Sequence, residues 1–219
     1  MKLSYSITVC NESKELYSLV AFLKKVKDAE DEINILIDTL HVSSQVLKVV
    51  EFFKDDIVIN EREFDGNFSN HKNYAISKCT GDYIFSIDAD EMPQEALIKN
   101  IKQAIIDIDD VEIIHVPRIN ICPGSTQEWI QKCNFTVNEA GWINWPDYSV
   151  RVFKNIPSIR WNNSLHEKIS SSGKSAAIPA NPLLALWHIK SVEKQDNRWD
   201  PDTKEYVSPG KENLYDSLM

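Results

Sequence analysis

Several signals that settle a protein's class are missing from this chain, and each absence narrows the field. There is no Cys-x-x-Cys pair, and Cys10, Cys79, Cys122 and Cys133 lie far apart. That argues against a zinc ribbon or dithiol redox motif and for reduced, mostly buried thiols. No apolar run approaches the roughly 20 residues that cross a bilayer, and Met1-Lys2-Leu3-Ser4-Tyr5 lacks a signal-peptide core. The expectation is a cytoplasmic protein with no transmembrane segment. Lys and Arg do not cluster and the formal net charge is -9, which disfavours nucleic acid as a partner, because neutralising phosphates needs concentrated positive charge. No internal repeat and no low-complexity segment is present, and 219 residues suit one domain with a substantial core.

What is present is an alternation of short apolar runs and helical patterns over the first 107 residues. Leu3 to Val9 is strand-like, and Leu16, Leu19, Val20 and Leu23 repeat at helical spacing. Ile33 to Ile37 is a second strand ending at Asp38, followed by a helical pattern through Val46, Val50 and Phe53, and Ile57 to Ile59 is a third strand. Phe68, Lys72, Ala75, Ile76 and Cys79 share a helical face, with Asn67 or Ser69 to cap its start and Gly81 to close it. Tyr83 to Ile87 is a fourth strand running into Asp88, and Pro93 opens a helix with Leu97, Ile98, Ile101 and Ile105 inward.

This order predicts an α/β fold: a Rossmann-like, open, twisted, mostly parallel sheet with helices on both faces. Ligands of such sheets bind at the carboxyl ends of the strands, where Asn11, Asp38 and Asp88 fall. Farther on, Val111 to Pro117 is a strand, Ile119 to Trp145 has no clear period, and Tyr148 to Phe153 and Ser158 to Trp161 are short strands. The chain from about residue 196 reads as a loosely packed tail.

Asp-x-Asp occurs three times, at Asp88 and Asp90, Asp107 and Asp109, and Asp200 and Asp202. Only the first follows an apolar strand directly, where a hard divalent cation finds oxygen ligands; the others read as solvated carboxylates. The alternative for Asp88 and Asp90 is a turn that caps the next helix.

The segment Phe68-Ser69-Asn70-His71-Lys72-Asn73-Tyr74-Ala75-Ile76, then Thr80-Gly81-Asp82-Tyr83-Ile84-Phe85-Ser86-Ile87-Asp88-Ala89-Asp90-Glu91, resembles the core of glycosyltransferase family 2. Ile7-Thr8-Val9-Cys10-Asn11-Glu12, Ile35-Leu36-Ile37-Asp38, Trp145 through Lys154, and Trp161 through Glu167 extend the likeness, toward the branch that modifies bacterial surface glycans. The resemblance implies a GT-A fold in residues 1–195, with a nucleotide-sugar-binding half (1–110) and an acceptor-side half (111–195). It also implies a nucleotide-diphosphate-sugar donor (a UDP-sugar favoured), Mn²⁺ or Mg²⁺, inversion at the anomeric carbon, and a glycan or other hydroxyl-bearing acceptor. By carry-over, Thr8, Asn11, Glu12, Asp38, Lys72, Asp88 and Ala89 line the donor, and Asp90 is the metal ligand, with Asp88 beside it. Two departures stand out: Asp38-Thr39-Leu40-His41-Val42-Ser43 replaces the family's Asp-x-x-Ser-x-Asp, and Lys72 stands where Arg is common.

His188 lies where related enzymes supply a late histidine to the metal; packing in the core is its other reading. Glu167 is the first candidate for the base that deprotonates the acceptor, and Asp147 the second. Lys72 and Arg151 could contact diphosphate or hold the acidic cluster, and Trp142, Trp145 and Trp161 could form a sugar platform or belong to the core. Two competing functions are carried forward: a nucleotidyltransferase, against which stands the absence of glycine in Cys10-Asn11-Glu12-Ser13-Lys14, and a non-catalytic glycan-binding relative.

Overall fold

A computed structural model describes residues 1–196; the pair Asp200 and Asp202, and the expected tail apart from Asp196, lie outside the described residues. Strands β1 (Leu3–Val9), β2 (Glu32–Asp38), β3 (Val58–Arg62) and β4 (Tyr83–Asp88) alternate with helices α1 (Ser13–Val26), α2 (Ser44–Phe52) and α3 (Phe68–Ile76). The four strands are parallel, in the order β3-β2-β1-β4. In-register pairing of Thr8 with Asp88 and Val9 with Ile37 brings the carboxyl ends to one edge.

The rest of the chain extends this sheet. It comprises β5 (Glu91–Pro93), α4 (Glu95–Ile108), β6 (Val111–Ile121), α5 (Gln127–Lys132), β7 (Ile143–Lys154), β8 (Trp161–Asn162), β9 (Lys168–Ile169), β10 (Lys174–Ala177), a 3₁₀ turn (Pro182–Leu184), β11 (Leu186–Ile189) and α6 (Val192–Asp196). Among the described residues nine strands form one sheet: β3-β2-β1-β4-β7-β6-β11-β5, with β10 also on β6. Strand β7 is antiparallel to both β4 and β6, and β11 runs parallel to β6.

Period-2 alternation in the strands divides the core between two faces. Phe85 joins Leu16, Leu19, Leu23 and Ile101 of α1 and α4 on one face. Its neighbour Ile84 joins Ile76 of α3, Phe153 and Trp161 on the other. The expected α/β sheet with helices on both faces is therefore observed. Asn67 caps α3, its side chain accepting from Asn70 N–H.

Several local expectations change. The third strand lies at Val58–Arg62, later than Ile57 to Ile59. Pro93 does not open a helix: it pairs with Leu186 at the edge of the sheet, where a missing N–H costs no ladder bond, and α4 starts after Gln94. Gly81 does not close α3, which ends at Ile76; a Cβ there would lie 2.8 Å from both Lys2 O and Ser4 N, so glycine permits close backbone approach. In the stretch from Ile119 to Trp145, β6 continues to Ile121, α5 interrupts, and β7 begins at Ile143. Only Trp161 of the run Ser158 to Trp161 is in a strand.

Candidate active site

At the carboxyl edge β4 ends in Asp88, and Ala89-Asp90 turn the chain into β5. There Glu91 pairs across the ladder with His188 of β11. That pairing carries the imidazole to Asp90: His188 Nε2 lies 3.6 Å from Asp90 Oδ2, while Nδ1 lies 2.9 Å from Asn120 Oδ1. Asn120 thus fixes the ring with Nε2 toward the carboxylate.

Around this pair runs a chain of alternating charges. Glu167 Oε1 is 2.5 Å from Lys72 Nζ, which is 3.1 Å from Asp88 Oδ1. Asp88 Oδ2 accepts from Arg151 at 2.9 Å, and Arg151 also donates to Glu91. Glu91 Oε1 accepts from Arg118 at 3.0 Å, and Arg118 donates to Asp147 Oδ2 at 2.6 Å. Four carboxylates and three cations thus alternate from one candidate base to the other.

Burial and pairing pull these groups in opposite directions, and pairing wins. Burial opposes ionisation of Asp88, yet Arg151 and Lys72 hold its carboxyl well below the usual carboxylate range. Burial likewise works against Glu167, but Lys72 brings it below the ordinary glutamate value; Arg118 does the same for the half-buried Asp147. Lys72, Arg118 and Arg151 are driven up by their carboxylates despite burial.

The donor-side candidates sit along the same edge. Thr8 is opposite Asp88 in the β1–β4 register, and the buried Asn11 precedes α1. Glu12 Oε2 accepts from Asn11 N–H at 3.1 Å and Cys10 N–H at 3.3 Å. Ala89 is buried. Asp38 is committed to its own loops: Oδ1 accepts from Leu40 N–H at 3.0 Å and Phe64 N–H at 3.1 Å, and Oδ2 lies 2.5 Å from His41 Nδ1. Trp161 belongs to the core, stacked edge-on against Phe153 and lying 4.7 Å from Lys72 Nζ, so it is no open platform. Trp142 and Trp145 form a separate edge-to-face pair with centroids 5.2 Å apart.

Sequence reasoning missed Arg118, Glu91 and Asn120 as site residues. Asn120 lies in the part of β6 read as aperiodic, Arg118 falls just before it and beyond the strand read to Pro117, and Glu91 read only as a neighbour of Asp90. The signal is structural: Glu91 is 1% exposed, and a buried carboxylate calls for cationic partners.

The expected metal fits the donor set. Among the described residues no three His, Cys, Asp or Glu side chains converge to hold an ion. One carboxylate and one imidazole do converge, a set suited to an ion that also takes oxygens from a diphosphate.

This sheet order defines a GT-A-type α/β fold, and comparison with known proteins supplies its class. Residues 4–160 match the family described as Glycosyl transferase family 2, and the chain belongs to that family. The family resemblance read from the sequence is borne out. Among solved structures, the chain is similar in fold to S. aureus TarS 1-349 in complex with UDP-GlcNAc, with TM-score 0.59 and 16% identity, over 95% of this chain and 62% of that one. It is similar too to the same protein in complex with UDP, with TM-score 0.56 and 15% identity, over 89% and 62%. The chain thus spans less than two thirds of the TarS chains it matches. No match was found among curated proteins. No helix among the described residues is long and apolar enough to cross a membrane.

Proposed function

We propose that the protein is an inverting, metal-dependent glycosyltransferase that moves a sugar from a nucleotide-diphosphate-sugar to an acceptor hydroxyl. The observation that carries the reading is the convergence of Asp90 Oδ2 and His188 Nε2 at a strand end. Donor-side Asp88 is linked there through Lys72 to Glu167. A UDP-sugar is the favoured donor, supported by the fold likeness to TarS in complex with UDP-GlcNAc. The half formed by residues 1–110 takes the donor, and residues 111–195 face the acceptor.

Asp90 and His188 would hold Mn²⁺ or Mg²⁺, and the ion would supply positive charge to the departing diphosphate. Glu167 takes the proton from the acceptor hydroxyl as its oxygen bonds to the anomeric carbon, and the bond from that carbon to the phosphate oxygen breaks. Glu167 is preferred to Asp147 because Asp147 Oδ2 already accepts three N–H groups, from Arg118 Nε at 3.0 Å, Arg118 Nη2 at 2.6 Å and Asn120 at 2.8 Å. Burial opposes ionisation of Glu167 but Lys72 outweighs it, so the carboxylate is charged, as a base must be, though weaker than an unpaired glutamate. Thr8, Asn11 and Glu12 lie along the nucleotide, and the cytoplasm, where nucleotide-sugars are made, is the proposed site of action.

Calorimetric titration with UDP-, GDP-, dTDP- and CMP-sugars, with Mn²⁺ and with EDTA, tests this. One donor binds in the presence of metal, and the Asp90→Ala variant loses that binding while remaining folded. Donor binding that survives both EDTA and the substitution would remove the metal from the mechanism; glycan binding without any donor would favour a non-catalytic relative.

A further inference from the structure

A lysine near the end of the described residues lies against Asp90. Helix α6 follows β11 after a short link, and its Lys194 reaches back to the sheet edge. Lys194 Nζ lies 3.4 Å from Asp90 Oδ2 and 3.9 Å from Glu12 Oε1. The Asp90 oxygen facing this ammonium is the same one that faces His188 Nε2. Side-chain exposures of 21% for Lys194 and 8% for Asp90 keep the pair partly shielded from water, so the ammonium offsets charge that solvent would not fully screen.

Two cations cannot share one carboxylate oxygen at contact distance without repelling each other. We infer that Lys194 is a built-in counter-ion that competes with the divalent cation for Asp90, so that loading the metal requires its side chain to swing away. The inference rests on the metal reading above. Helix α6 has anchors that such a swing leaves in place: Trp129 Nε1 donates to Asp196 at 3.0 Å, and Lys194 N–H donates to Ser191 Oγ at 3.2 Å. The chemistry is simple exchange: an ammonium leaves a carboxylate and a metal ion takes its place, with no covalent change.

The test is a Mn²⁺ titration of the full chain without nucleotide, followed by electron paramagnetic resonance, on the wild type and on Lys194→Met, Lys194→Gln, Lys194→Arg and Asp90→Ala. Loss of a partly screened ion pair predicts about two- to fivefold tighter Mn²⁺ binding in the Met and Gln variants. The Arg variant, which keeps the charge, stays near the wild type, and Asp90→Ala abolishes binding. Equal affinity in wild type and both neutral variants overturns the competition and leaves the metal site standing. Weaker binding in those variants also overturns it, by making Lys194 a support of the site. Absence of Mn²⁺ binding in every protein, with UDP added as well as without it, overturns both readings. Thermal unfolding of each variant shows that it is folded, and the Gln variant serves if Met disturbs α6.

Discussion

The two halves of the sheet place their functional groups by different means. In the parallel half, β3-β2-β1-β4, backbone register does the placing: Thr8 and Asp88 stand side by side because their strands pair residue for residue over an apolar core. In the mixed half, β7-β6-β11-β5, charge does it. Arg118 and Arg151 hold Asp147, Glu91 and Asp88 in fixed relation, both donating to the buried Glu91. The carboxyl edge is thus built on an apolar sheet and finished with ion pairs.

Substitution can break this contrast. Arg151→Met should have the largest effect, because it breaks two buried ion pairs at once, leaving the 1% exposed Glu91 to Arg118 and Asp88 to Lys72. A loss of about 3–5 kcal/mol in urea unfolding is expected, and a loss under about 1 kcal/mol would show that the ion chain is not what holds the mixed half. Gly81→Ala probes the parallel half: its new methyl meets Lys2 O and Ser4 N at 2.8 Å, backbone that cannot move aside, for a cost of about 1–3 kcal/mol in the same assay.

The smallest effect concerns pH. Glu32 is brought from 4.5 to about 2: burial opposes its ionisation, but Lys2, Ser4 and Thr80 outweigh it with hydrogen bonds. A depressed folded-state pKa stabilises the fold above the unfolded value, so this contribution is complete above about 4.5 and lost as pH falls toward 2. Glu32→Gln should flatten the fall in melting temperature across that window. An unchanged slope would mean that other carboxylates govern acid unfolding.

The parallel half was readable in the sequence because its strands are continuous apolar runs and its helices repeat at 3.6 residues. Leu16, Leu19, Val20 and Leu23, read as one face of a helix, are all 0% exposed. The mixed half was readable only in part: Val111 to Pro117 and Tyr148 to Phe153 lie in β6 and β7, but Arg118, Asn120 and Asp147 inside those strands dissolve the pattern. The local order of Asp88, Ala89, Asp90 and Glu91 pointed to the site, yet nothing local could say that Arg118 would arrive from 27 residues beyond Glu91. Glu167 and His188 came from family likeness, and the structure shows each within reach of the acidic turn.

The ladder between β5 and β11 turns chemistry into counting. Leu186 faces Pro93, Trp187 faces Met92 and His188 faces Glu91, and Gln94 N–H to Ala185 O at 3.2 Å pins the start of that ladder. A slip of one residue would send the imidazole to the opposite face of the sheet and bring Trp187 opposite Glu91. The register of β11 therefore acts as a ruler: a single insertion between Ala185 and His188 would leave a paired strand that had lost its place in the count.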